Sequence, residues 1–125
     1  MVVAALYVQT DGIYYGIEDV DPWDENRDAR LYAGPHPVVA HPPCQRWINL
    51  ASANYARYGG EHNRPGNDGG CFPAALKSIK QWGGVLEHPA ASRAWPVHGL
   101  KKPYGVGWYY QPDTTFVGGG RRAVS

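Results

Sequence analysis

The sequence predicts an α/β domain: a small, mostly parallel sheet with flanking helices and an N-terminal β-hairpin. Three observations predict it. Pro37-Val38-Val39-Ala40 and Val85-Leu86 are short apolar runs without polar alternation, the mark of strands covered on both faces. Between them, residues 72–82 place Phe72, Leu76 and Ile79 on one face of a helix. Strand, helix and strand at this spacing form a βαβ unit, whose strands run parallel through a right-handed crossover. The chain of 125 residues suits one such domain, 1–125, with room for a real core and none for a second.

The elements follow in order. Residues 2–9 are β-rich and read as a strand. Thr10-Asp11-Gly12 is a turn signal, and residues 13–17 are expected to return as the second arm of a hairpin. Asp21-Pro22 is expected to open a short helix through Leu31, with Asp21 as its cap and Pro22 in its first turn. Gly34-Pro35 stops it. The strand at 37–40 ends at His41-Pro42-Pro43-Cys44, because neither proline donates to a sheet ladder. Residues 45–58 read as helical. Residues 59–70, with five glycines, read as a flexible loop and candidate lid. The helix at 72–82 ends at Gly83-Gly84. The second buried strand runs into Glu87-His88-Pro89, and residues 90–97 are expected to form another short helix. Residues 101–125 are rich in Gly, Pro and Tyr and are expected to be partly mobile; Trp108, Tyr109 and Tyr110 read as packing residues, and Arg121 and Arg122 as a solvated end.

Composition narrows the function classes. Hydrophobic residues make up 43% and charged residues 18%, the balance of a globular chain. The formal net charge is +1, without the basic excess of a non-specific nucleic-acid binder. Two cysteines, Cys44 and Cys71, are not a disulfide framework. No stretch approaches the length of a membrane span, and the opening Met1-Val2-Val3-Ala4-Ala5 lacks the basic start of a secretory leader. The expected compartment is the cytoplasm.

The chemistry-bearing residues cluster where both buried strands end. In a parallel sheet all carboxyl ends lie on one edge, and ligands bind in the crevice beyond it. The βαβ reading therefore brings Cys44 and Glu87, with His41 and His88, to one rim. A thiol acts as a nucleophile when its pKa is lowered or a base assists it. A carboxyl group in a partly apolar crevice retains a proton near neutrality. Together they suit attack on an electron-poor ring that is protonated elsewhere. Taken alone, Cys44 reads first as a small buried hydrophobe. Pro42-Pro43 before it and Glu87-His88 on the neighbouring strand end bring the nucleophile reading level with that one, while His41 and His88 read first as hydrogen-bonded packing at the sheet edge.

Pro42-Pro43-Cys44-Gln45 resembles the catalytic loop of the cytosine-C5 DNA methyltransferases, and Leu86-Glu87-His88-Pro89 is similar to that family's Glu-Asn-Val element. The resemblance implies a reduced Rossmann-like methyltransferase core. It implies that Cys44 attacks C6 of a pyrimidine while Glu87 holds and protonates N3, with His41, Pro43, Gln45 and His88 in support. It implies S-adenosylmethionine as cofactor, with Asp19 or Asp21 at its ribose, and a pyrimidine nucleotide or DNA as partner. Residues 29–95 also resemble small bacteriophage proteins that share the His-Pro-Pro-Cys and Leu-Glu-His-Pro elements. The family's glycine loop after the first strand is replaced by Gln9-Thr10-Asp11-Gly12, and its later arginine element has only a poor echo in Gly120-Arg121-Arg122.

Those departures leave a second function open: a catalytically inactive phage protein that binds a host defence component or a nucleotide. A third reading is a zinc-stabilised module using His41, Cys44, Cys71 and His88. The acidic run 18–28 reads as a solvated face or a weak magnesium site, and Asp68-Gly69-Gly70-Cys71 as a turn and cap with a faint phosphate-cradling look.

Overall fold

In a computed structural model the chain is described in full for residues 1–100, and beyond them for the backbone of two strands, 108–110 and 116–121. The strands are β1 Val3–Leu6, β2 Val20–Trp23, β3 Val38–Ala40, β4 Gly84–Pro89, β5 Trp108–Tyr110 and β6 Phe116–Arg121. The helices are α1 Leu50–Tyr58, α2 Cys71–Trp82 and α3 Ala94–Val97, with 3₁₀ turns at Ala29–Leu31 and Glu61–Asn63. The sheet order is β2-β1-β3-β4-β6-β5. β1 to β4 are all parallel, β6 joins β4 in parallel, and β5 runs antiparallel at the edge. The α/β class with a small parallel sheet is thus as the sequence predicts, in a Rossmann-like arrangement.

Packing explains the short apolar strands. Ala4, Ala5 and Leu6 of β1, Val38 and Ala40 of β3, and Leu86 of β4 are buried. α2 lies across β3 and β4 and buries Phe72, Ala75, Leu76 and Ile79, a single stripe at helical spacing. Each large side chain fully buried this way stabilises the fold by roughly 1.5–3 kcal/mol. Trp95 of α3 is also sealed in this core, and its Nε1 donates to the Pro89 carbonyl at 2.9 Å. Among the described residues no helix is long and apolar enough to cross a membrane.

The expected hairpin is not formed. Thr10-Asp11-Gly12 does turn, with Gly12 N–H donating to the Gln9 carbonyl at 3.0 Å. Residues 13–17 do not return along β1, because both edges of that strand are taken by parallel partners, β2 and β3. Ile13 and Ile17 are accordingly exposed. The expected helix at 21–31 is also replaced. Val20–Trp23 is the edge strand β2, where Pro22 costs nothing if its missing donor faces outward. Only the 3₁₀ turn Ala29–Leu31 remains, capped by Asp28. The helix expected from residue 45 starts at Leu50, because Cys44 to Trp47 forms a turn closed by Trp47 N–H on the Cys44 carbonyl.

The loop at 59–70 is tied rather than open. Asn63 Nδ2 donates to the Gly59 carbonyl, Asn67 Nδ2 to the Glu61 carbonyl, and Gly66 N–H to the Arg46 carbonyl. β4 runs longer than the two-residue strand expected, since Glu87, His88 and Pro89 pair with Gly119, Gly120 and Arg121 of β6. The mobility and packing expected for the rest of 101–125, Arg122 included, fall outside the described residues.

The β3–β4 pairing depends on Gly84. Its φ is +133°, and a Cβ there would collide with the Val38 carbonyl. Gly84→Ala is therefore expected to destabilise the fold by about 3 kcal/mol, from the strained backbone and the clash together. Urea unfolding checks this; a change within error of zero would mean that the two strands can separate at that point without cost.

Candidate active site

Reversal of the strand order about β1 creates the crevice. β2 lies on one side of β1 and β3 on the other, so the segments leaving their carboxyl ends diverge and open a space between them. Two clefts occupy this edge. Tyr7, Val8 and Gln9, the residues that leave β1, form a wall common to both.

The smaller cleft, about 440 Å³, is closed by Tyr14, His41 and Glu87. Sheet register puts the last two together. Ala40 of β3 pairs with Leu86 of β4, so the next residue on each strand, His41 and Glu87, meets across the end of β3. His41 Nδ1 lies 3.8 Å from Glu87 Oε2. The His41 N–H is held by the Leu6 carbonyl at 3.0 Å, and Tyr14 Oη stands 2.8 Å from His41 Nε2.

His88 faces the other way and is buried. Its Nδ1 is 2.7 Å from Ser92 Oγ and its Nε2 is 3.3 Å from the Pro43 carbonyl. A carbonyl only accepts, so the hydrogen sits on Nε2, and Ser92 O–H donates to Nδ1. Ser92 Oγ in turn accepts from Ala94 N–H at 3.0 Å. Phe72 and Trp95 pack edge-on against the ring. His88 thus clamps the Pro42-Pro43-Cys44 loop to β4. Cys44, half-buried, follows at the start of the next turn. That turn is secured by Trp47, whose Nε1 donates to Asp68 Oδ2 at 2.8 Å and whose carbonyl accepts Arg93 N–H at 2.9 Å. Gln45 and Pro43 share a shallow neighbouring cleft with Arg46 and His62.

The larger cleft, about 670 Å³, is lined by Tyr7, Asp24, Asp28, Arg30, Asp68 and Cys71, among others. Burial, and then the negative charge of Asp68, push the Cys71 thiol up to about 11, against the pull of Arg30. Tyr7 has φ +61°, its hydroxyl is buried without a hydrogen-bond partner among the described residues, and burial raises its pKa. Asp24, buried just beyond β2, accepts from Tyr15 Oη at 2.6 Å, Arg27 N–H at 3.0 Å and Thr10 Oγ1 at 2.8 Å. These bonds, the Tyr15 one first, lower its carboxyl to about 2, and the bond to Asp24 is the first cause that raises Tyr15 to about 12.

Several expected residues stand elsewhere. Asp19 precedes β2, at the amino edge, and its carbonyl takes Val3 N–H. Asp21 is paired with Arg27 at 2.7 Å and accepts from Trp23 Nε1. The acidic residue that β2 delivers to the carboxyl edge is Asp24, which a correct β2 boundary would have indicated. The zinc set His41, Cys44, Cys71 and His88 is not gathered: among the described residues no three His, Cys, Asp or Glu side chains come together to hold a metal, and both ring nitrogens of His88 are engaged. No disulfide joins Cys44 and Cys71. Tyr7 and Tyr14 carried no sequence signal, since only the tertiary fold brings them to this edge.

Two outcomes follow from the charge arrangement. Cys71 is expected to alkylate about a hundredfold more slowly at pH 8 than an ordinary exposed thiol, measured in Cys44→Ser by mass spectrometry; equal rates would contradict the raised thiol pKa. Asp24 is held below its unfolded pKa, so its contribution to stability is present above about pH 4 and is lost as pH falls towards 2. Asp24→Asn is expected to flatten the loss of stability across that window, read from urea midpoints, and an unchanged slope would contradict it.

Comparison with family models, with curated proteins and with solved structures finds no match to this chain.

Proposed function

We propose that the chain acts on a pyrimidine ring bound at the carboxyl edge of the sheet, with Cys44 as nucleophile at C6 and Glu87 as the acid that holds N3. One observation supports the acid's part of this reading: the Ala40–Leu86 register, which sets His41 and Glu87 side by side in the wall of the cleft, while Cys44 follows His41 by three residues on the loop and is not among the residues that line it. The cleft is of a size for a nucleobase, and Tyr7 and Tyr14 supply aromatic walls suited to stacking. The clamp from His88 to Pro43 stiffens the loop that carries Cys44.

The chemistry balances within the chain's own residues. The Cys44 thiolate adds its electron pair to C6 of a cytosine ring as Glu87 gives a proton to N3, leaving a neutral enamine whose C5 is electron-rich. C5 then takes up a proton from water. Reversal returns either C5 proton to the hydroxide left by that water, expels the thiolate, gives the N3 proton back through Glu87 and restores the ring, so hydrogen at C5 exchanges with solvent.

S-adenosylmethionine, which the resemblance implies, does not fit the residues that would have to hold it. A nucleoside cofactor at this edge needs the backbone after β1 to approach closely, which glycines permit. Here Tyr7 takes a left-handed conformation in that segment and presents a full side chain to both clefts. Asp24 is already bound by Tyr15, Arg27 and Thr10. No step is therefore derived through that group. The same misfit favours a second reading, a phage-type protein that binds a nucleotide or a host defence component without catalysis.

C5–H exchange of cytidine nucleotides, and of a cytosine-containing DNA oligonucleotide, into deuterated water decides between the readings. Wild type is expected to exchange, Cys44→Ser to lose all exchange, and Glu87→Gln to slow it about a hundredfold. No exchange in wild type, or equal exchange in Cys44→Ser, would remove the enzyme reading. Nucleotide binding retained in Cys44→Ala and Glu87→Ala without exchange would support binding alone.

A further inference from the structure

Tyr14 and His41 are 27 residues apart in sequence, yet the loop that leaves β1 folds back so that Tyr14 Oη lies 2.8 Å from His41 Nε2. Their ring centroids are 5.6 Å apart with planes tilted by 42°. The other ring nitrogen, Nδ1, faces Glu87 Oε2 at 3.8 Å. The His41 and Glu87 side chains are 16% and 23% exposed, and both line the cleft. The loop is braced from behind: Tyr15, the next residue, bonds Asp24, and Tyr15 N–H closes a turn on the Gly12 carbonyl at 3.1 Å.

We propose that Tyr14, His41 and Glu87 form a proton relay in which Tyr14 and His41 are positioning residues that hold Glu87 and restore its acid proton. This rests on the pyrimidine reading of the same site. The direction follows from donor and acceptor chemistry. A carboxylate accepts only, so neutral His41 places its hydrogen on Nδ1, towards Glu87, and leaves Nε2 to accept the phenol hydrogen of Tyr14. Once Glu87 has given its proton to ring N3, the carboxylate takes the Nδ1 proton of His41. His41 Nε2 takes the Tyr14 proton, and Tyr14 regains one from water. One proton has passed from water to the ring, leaving hydroxide; when the thiolate departs the N3 proton returns through Glu87, His41 and Tyr14 in the reverse order and neutralises that hydroxide. The 3.8 Å separation is long for a hydrogen bond; a small side-chain rotation or one bridging water completes it.

The relay is tested on the full-length chain with ¹⁵N-labelled histidine, His41→Gln assigning the resonances. Long-range ¹H–¹⁵N spectra at pH 8 are expected to show His41 with a protonated Nδ1 and a bare Nε2. Tyr14→Phe is expected to shift the ring towards the opposite tautomer. A wild-type His41 protonated on Nε2, or a tautomer unmoved by Tyr14→Phe, would overturn the relay whatever the substrate. In the C5 exchange assay Tyr14→Phe is expected to lower the rate roughly tenfold and change its pH profile with KM unchanged. A change in KM alone would also overturn it. Absence of exchange in wild type would instead overturn the pyrimidine reading, while the nitrogen spectra still decide the relay.

Discussion

The edge that gathers His41, Glu87 and the cleft depends on one close approach, the passage of Gly84 past the Val38 carbonyl. At φ +133° and with no side chain, Gly84 lets β4 begin directly opposite Val38. From that point each residue of β4 is committed to a partner, and Leu86 falls opposite Ala40. A slip of one residue would turn every side chain of β4 to the other face. His88 would leave its niche between Phe72 and Trp95, and Glu87 would enter the core in its place. The same glycine follows Gly83, whose N–H ends α2 on the Ile79 carbonyl. Helix termination and strand register are therefore set within two adjacent residues.

Alternation along β4 then divides labour between neighbouring residues. Glu87 looks to the cleft and meets His41, while His88 looks to the core and grips the Pro43 carbonyl. His88 is buried among aromatic rings and satisfied by Ser92, which suits a residue that holds a loop. The two histidines of the paired elements thus have opposite tasks, although each stands beside a proline in the sequence. Asp68 plays a comparable structural part below them. It caps α2 through Phe72 N–H and Gly70 N–H while holding Trp47, so the turn after Cys44 and the start of α2 move as one unit.

The parallel core was legible because its signals are local. Continuous apolar runs at 38–40 and 85–86 and the stripe of α2 each record burial directly. Two other segments were not legible for a physical reason. A turn signal at Thr10-Asp11-Gly12 states that the chain bends, but not which edge of β1 is vacant when it does. Asp21-Pro22 fits the first turn of a helix and also fits an outer strand, and only the presence of a neighbouring β1 edge chooses between them. The misplaced boundary concealed Asp24, the carboxylate at the end of β2, and drew attention to Asp19 and Asp21. Neither of those reaches the cleft edge, since one precedes the strand and the other is tied to Arg27 and Trp23.

By itself the amino-acid order determined that this is a small α/β domain and that two buried strands end in His41-Pro-Pro-Cys44 and Glu87-His88-Pro89, because burial and proline chemistry are written locally. Tertiary structure alone decided what those tips meet. Ladder register brought His41 to Glu87, and the fold of the β1 loop brought in Tyr14 and Tyr7. Contacts between residues tens of positions apart depend on which strand edges and faces remain available, and no local pattern encodes that.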